Sequence, residues 1–272
     1  VEIRDHQVCF ADSTTIVSTF HSRGRSPTSL RPCVLYIHGG GFEFGDRYSN
    51  TEELMTMVAS EEIVGVSLDY RLAPKHRFPA ALNDCENALK WVIANAPRLN
   101  IDVTRIVIMG VSAGGALAAS LAIRLRQRGP GHIAGLLLSC PMLDDRTSAG
   151  PESVGPVRTW TYADNRAAWK KYLGHTIPTY ESVPARALNL SLLPPTFIDV
   201  GTDDIFYQED VEFAARLRRS SVLVEMHTWT LGYHGFDILE RSSPAAVQAA
   251  QVRLSWIRSR ISAASDQSQQ DE

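Results

Sequence analysis

The 272-residue chain is short of cysteine, of clustered charge and of long apolar runs, and each shortage removes a class of protein. Its four cysteines, Cys9, Cys33, Cys85 and Cys140, stand far apart with no C-x-x-C pair, so neither a zinc site nor a disulfide framework is indicated. They read as reduced and mostly buried. No segment approaches the ~18 consecutive apolar residues of a membrane span, so no membrane insertion is expected. Lys and Arg number 27 against 30 Asp and Glu, a formal net charge of -3 with no long basic run, which gives no electrostatic footing for nucleic acid or an anionic membrane. The expected partner is a small, largely neutral molecule. Val1-Glu2-Ile3-Arg4-Asp5-His6 is too charged for the core of a signal peptide, so the expected location is the cytoplasm. Val1 in place of an initiating Met leaves a preceding segment open.

What the chain does have is a 44% hydrophobic content, ample for one α/β domain over residues 1–272. Short β-rich runs alternate with longer helical patterns, the signature of a mostly parallel sheet covered on both faces. Gln7 to Phe10 and Thr15 to Phe20 are close enough for an antiparallel hairpin at the sheet edge. Further strands are predicted over Cys33–Ile37, Ile63–Leu68, Arg105–Met109, Leu136–Ser139, Thr196–Val200 and Val222–Thr230. Helices are predicted over Thr51–Ser60, Pro79–Asn95, Ala113–Arg128, Tyr207–Arg219 and Ala245–Ala264. The rhythm breaks at about 142–185, where a Gly/Pro/Ser stretch precedes Trp160, Tyr162, Trp169 and Tyr172 around a short helical pattern. This reads as a cap-like insertion over the carboxyl edge of the sheet. The polar tail Ser265–Glu272 reads as frayed.

The most informative residues are Gly110-Val111-Ser112-Ala113-Gly114, between an apolar strand and an Ala/Leu-rich helix. They form a serine on a sharp strand-to-helix turn, with glycines where a side chain would block closure. The pattern alone arises by chance in roughly one chain in ten of this length. A serine nucleophile also needs a base, itself oriented by a carboxylate. Gly201-Thr202-Asp203-Asp204 follows one predicted strand and Tyr233-His234-Gly235-Phe236 follows the last, each at a carboxyl end, where open parallel sheets carry their sites. The order Ser, Asp, His is the one this architecture uses. Backbone donors for an oxyanion are offered by His38-Gly39-Gly40-Gly41-Phe42 after the third strand. Gly40, Gly41 and the N–H of Ala113 are the candidate donors, with Gly39 shaping the turn.

Four blocks, His38-Gly39-Gly40-Gly41-Phe42, Asp69-Tyr70-Arg71-Leu72-Ala73-Pro74, Phe78-Pro79-Ala80-Ala81 and Gly110-Val111-Ser112-Ala113-Gly114-Gly115, resemble in order the signatures of the hormone-sensitive-lipase-like branch of the α/β-hydrolases. Asp204-Ile205-Phe206 and His234-Gly235-Phe236 look like that family's acid and base blocks. The resemblance implies a cofactor-free serine carboxylesterase acting on short- or medium-chain acyl esters, with Ser112 as nucleophile, Asp204 orienting and His234 as general base. It also implies dimerisation through the strand near Val222–Thr230. Three features depart from the family. Val111 stands where Asp or Thr is common. Ile205 replaces the usual Pro, which leaves Asp203 as an alternative to Asp204. The chain also starts almost at its first strand, where relatives carry cap helices, so the roof over the site is expected to be small or incomplete.

The other polar residues of these blocks read as structural. His38 is expected to organise the glycine loop, and Asp69, Tyr70 and Arg71 to brace it. Asp144-Asp145-Arg146 reads as a capped turn, not a metal site, because no His ligands lie nearby. The four insertion aromatics fit a substrate pocket and a small core of their own equally well. Two rival readings stand beside the esterase. One keeps the machinery for a lactone, carbamate or acetylated metabolite, and the other is a non-catalytic binder on the same fold, which the presence of His234 disfavours.

Overall fold

A computed structural model describes residues 1–10, 13–23, 29–126, 133–149 and 159–268, with side chains to residue 262. Eight strands form one sheet: β1 (Glu2–Cys9), β2 (Thr14–His21), β3 (Arg31–Ile37), β4 (Val64–Leu68), β5 (Ile101–Val111), β6 (Gly135–Ser139), β7 (Thr196–Gly201) and β8 (Val224–Trp229). Their order is β1-β2-β4-β3-β5-β6-β7-β8. The β1/β2 and β2/β4 pairs are antiparallel and every other pair is parallel. The predicted edge hairpin is therefore present, and it extends a parallel core.

The central strands are buried throughout, as expected for parallel strands covered on both faces. Successive side chains serve opposite layers. Leu35 and Ile37 of β3 join the layer under α2 (Ala80–Ala94), α4 (Ala113–Leu125) and α6 (Tyr207–Arg219). Val34 and Tyr36 join the other, under α1 (Glu52–Ser60) and α8 (Pro244–Ser268). The helices pack through apolar stripes, such as Leu82, Cys85, Leu89 and Val92 of α2. Residues 38–45 after β3, Ser112 after β5, the turn after β7 and the loop after β8 all gather at the carboxyl edge of the parallel strands.

Several elements differ from the sequence reading. β1 starts at Glu2 and not Gln7, because its backbone pairs with β2 along the whole length while most of its side chains are exposed. β5 runs from Ile101 to Val111, longer at both ends than predicted. Three short helices were not predicted as elements: α3 (Ala96–Leu99), α7 (Phe236–Leu239) and a 3-10 turn at Pro184–Arg186. The insertion's helix is α5 (Tyr162–Leu173), started by a capping box in which Thr161 and Asp164 each accept from the other's backbone N–H. α8 continues helical to Ser268, so the frayed tail does not begin at Ser265, and residues 269–272 lie outside the described ones. The end of the helix predicted to reach Arg128 also lies outside them, as do residues 150–158 of the insertion.

Candidate active site

Ser112 sits between β5 and α4 with φ 55° and ψ −119°, a backbone state that L-residues rarely adopt. The surrounding glycines let it persist. A Cβ on Gly110 would lie 2.3 Å from Gly114 O, and one on Gly114 would lie 2.1 Å from Ile37 O. Strand, helix and β3 thus meet at a distance that only hydrogen can fill. Ser112 N donates to Ser139 O of β6 at 2.9 Å, tying the turn to the neighbouring strand.

Ser112 Oγ is 3.0 Å from His234 Nε2, and His234 Nδ1 is 2.8 Å from Asp204 Oδ2. Asp204 Oδ1 accepts from Phe206 N at 3.0 Å, which fixes the carboxylate's orientation. Of the two adjacent acids, then, Asp204 faces His234. Asp203 is held elsewhere, its backbone N–H bonded to Gly232 O at 2.9 Å and its carboxylate 3.4 Å from Thr202 Oγ1. Gly232 also closes on Gly201 so tightly that a Cβ on Gly201 would lie 1.9 Å from Gly232 O. The acid turn and the histidine loop therefore interlock.

Burial alone would depress the His234 pKa, but the Asp204 carboxylate against Nδ1, with Cys140 beside the ring, outweighs it and holds the imidazole well above its ordinary 6.5. Phe206 meets the ring edge-on at 5.1 Å and Trp160 lies 6.4 Å away.

The glycine loop curls under Ser112. Gly40 has φ 109° and Gly41 φ 59°. A Cβ on Gly40 would lie 2.2 Å from Phe44 O, and one on Gly41 2.4 Å from the Trp160 ring. Gly39 packs on the elbow itself, its Cβ position 3.0 Å from Val111 O. Among the described residues, the backbone N–H groups of Gly40, Gly41 and Ala113 donate no backbone hydrogen bond, so all three remain available to an incoming oxygen.

The bracing residues divide differently from expectation. His38 is buried, stacks on Tyr70 at 4.1 Å and bonds through Nδ1 to Gly39 O at 2.7 Å, while Tyr70 donates its hydroxyl to His38 O at 2.9 Å. Tyr70 thus touches the loop directly. Asp69 accepts from the N–H and guanidinium of Arg47, just past the loop, and Arg71 chelates Asp84 of α2. The insertion aromatics also split. Trp169 and Tyr172 are buried against Phe42, with Tyr172 stacked at 4.0 Å, whereas Trp160 covers Gly41 beside His234. Asp144 pairs with Arg146 and Asp145 with Arg186, in keeping with a turn.

Two site neighbours escaped the sequence reading. Cys140, at the end of β6, has a side-chain atom within 4.8 Å of atoms of both Asp204 and His234. Glu209 of α6 accepts from the backbone of Leu143 at 2.6 Å and Asp144 at 3.2 Å, and burial pushes its carboxyl up to about 8. Position after a strand was a signal for Cys140, but its neighbours depend on sheet order, which the motif spacing does not encode. Glu209 lay inside a helical pattern and carried no signal.

A serine on a strained elbow, an imidazole and a carboxylate in one hydrogen-bonded line, and free amides beside them on a parallel α/β sheet define the α/β hydrolases. The family described as alpha/beta hydrolase fold matches residues 34–238, and the chain belongs to it, in its hormone-sensitive-lipase-like branch. The chain is 32% identical over 240 residues to "Esterase LipI" of Mycobacterium tuberculosis, covering 84% of this chain and 72% of that protein. It is likewise 32% identical over 225 residues to "Carboxylesterase NlhH" of the same organism, covering 80% and 70%. Among solved structures, esterase LipW from Mycobacterium marinum superposes with a TM-score of 0.87 at 31% identity, over 95% of this chain and 82% of its own. A bacterial heroin esterase gives 0.88 at 29%, over 96% and 84%.

Proposed function

We propose that this protein is a serine carboxylesterase that cleaves short- to medium-chain acyl esters through an acyl-enzyme. Ser112 Oγ attacks the ester carbonyl while His234 Nε2 takes its proton, and Asp204 stabilises the resulting imidazolium and holds Nδ1 in the required tautomer. The tetrahedral oxyanion is received by the amides of Gly40, Gly41 and Ala113, with Gly39 shaping the loop. His234 then returns the proton to the leaving alcohol, and a water activated by the same imidazole releases the acid. Esterase and carboxylesterase relatives over most of the chain support the reaction type.

The observation that carries the reading is the unbroken line Asp204–His234–Ser112, with steps of 2.8 and 3.0 Å, ending beside amides that donate no backbone hydrogen bond among the described residues. The test is hydrolysis of p-nitrophenyl esters from acetate to palmitate by the parent and by Ser112→Ala. The expected result is an optimum at short to medium length and a loss on the order of a million-fold in kcat for the variant. Undiminished turnover by Ser112→Ala, or failure of a fluorophosphonate to label Ser112, would overturn it.

A further inference from the structure

On the face of the sheet that carries α1 and α8, a cavity of about 330 Å³ opens between those helices and α7. It is separate from the site at Ser112: none of Ser112, Asp204, His234 or the three loop glycines lines it. Its apolar wall includes Met57 of α1, Met109 and Val111 of β5 and Leu254 of α8. Its polar wall contains two atoms that lack partners. The Tyr36 hydroxyl, in a side chain only 1% exposed, and the buried Oε1 of Glu53 have no hydrogen-bond partner among the described residues. Leaving such groups unsatisfied is unfavourable, and an occupant that bonds both would offset it.

The charges around the cavity say which occupant. Arg253 is held by Asp199 from below at 2.8 Å, by Asp237 at 2.6 Å and by Glu53 at 3.1 Å, and Arg241 pairs with Glu52 at 2.9 Å. Four carboxylates therefore share two guanidiniums. The free Glu53 oxygen is an acceptor when ionised, and a phenol accepts as readily as it donates. A head group with several N–H donors and a positive charge satisfies both atoms and suits a lining in which three carboxylates, Glu52, Glu53 and Asp237, stand beside two guanidiniums.

We propose that this cavity is a binding site for a small organic cation, a primary ammonium on an apolar body of about six carbons, with its head at Glu53 and Tyr36 and its body along Met57, Met109 and Val111. The volume is in the range of small-ligand pockets and suits such a molecule. The site abuts the catalytic elements, because Val111 precedes Ser112 and Asp237 of α7 lies three residues after His234.

The test is calorimetric titration of intact Ser112→Ala protein with n-hexylammonium chloride, 1-hexanol and sodium hexanoate at pH 7 and low salt. Hexylammonium should bind one to one and at least about tenfold more tightly than hexanol, the ratio corresponding to one charge-assisted contact, and hexanoate should not bind. Glu53→Gln should weaken hexylammonium by about tenfold and leave hexanol unchanged. Ala250→Trp, which fills the cavity from α8, should abolish binding of both while leaving ester hydrolysis unchanged in the parent background. The proposal fails if no saturable binding of hexylammonium occurs at millimolar concentration, if hexanol binds equally well, or if hexylammonium binding survives Ala250→Trp.

Discussion

Asp203 and Asp204 are adjacent, identical in chemistry and opposite in consequence. Asp204 faces Nδ1 of His234, so Asp204→Asn should lower kcat by roughly 10⁴-fold through loss of the imidazolium's partner and of the correct tautomer. Asp203→Asn should change it by no more than about twofold, as expected for a substitution away from such features. The pH profile supplies an independent check. On the proposed mechanism His234 must be neutral to accept the serine proton, and the carboxylate raises its pKa, so the activity limb should lie alkaline of 6.5 in the parent. In Asp204→Asn the largest upward influence is gone while desolvation stays, and the limb should move to lower pH. A limb at the same pH in both proteins would show that a different group titrates. Glu209 makes a prediction about stability. Its folded pKa of about 8 exceeds its ordinary 4.5, so between those values the unfolded chain ionises while the folded protein keeps the proton. Its contribution therefore falls as pH rises from about 4.5 to about 8. Urea unfolding of Glu209→Gln across that window should show a shallower decline than the parent.

At the scale of elements, the glycine loop separates two kinds of tightness. At Gly40 the obstacle to a side chain is the backbone carbonyl of Phe44 and φ is 109°, a region closed to alanine. At Gly41 the obstacle is the Trp160 ring, and φ of 59° costs alanine only about 1–2 kcal/mol. Gly40→Ala should therefore lose at least about 10²-fold in kcat, comparable to loss of an oxyanion donor, and Gly41→Ala less. Trp160→Ala should restore part of the Gly41→Ala loss and none of the Gly40→Ala loss, a double-mutant comparison that steady-state kinetics can make. The sequence carries the elbow and this loop openly, because steric demand at a turn is written as glycine. It carries the buried strands as apolar runs for the same kind of reason. β1 was legible only in part, since an edge strand can be held by backbone pairing with few buried side chains. α3 and α7 span four residues each, too short for a periodic pattern. The meeting of Cys140 with His234, and the cavity beside α8, depend on which strands are neighbours, and strand order is a property of the folded sheet.

At the scale of the whole molecule, Arg253 joins parts of the chain that are far apart in sequence. Only 3% exposed, it binds Glu53 of α1, Asp199 of β7 and Asp237 of α7 from its place on α8, while Trp229 of β8 donates to the same Asp199 oxygen at 2.9 Å. Replacing Arg253 with Met would leave the three carboxylates without their shared cation. Breaking one side of a buried ion pair typically costs about 3–5 kcal/mol, and a loss of this size should appear as a lower urea midpoint. The triple Arg253→Met, Asp199→Leu, Glu53→Gln should recover part of it, because two of the three carboxylates then leave with the cation.

The line from Asp204 through His234 to Ser112 spans 122 residues of sequence between the hydroxyl and the imidazole. Ser112 and the glycine loop belong to the first half of the chain, while Asp204, β8 and His234 arrive in the last third. A ribosome making this protein releases Ser112 and the glycine loop well before His234, the base proposed to arm them. On the proposed chemistry, a nascent or truncated chain ending ahead of residue 204 is an inert hydrolase fragment. The close approach of Gly201 to Gly232 then holds the acid turn against the late-arriving histidine loop.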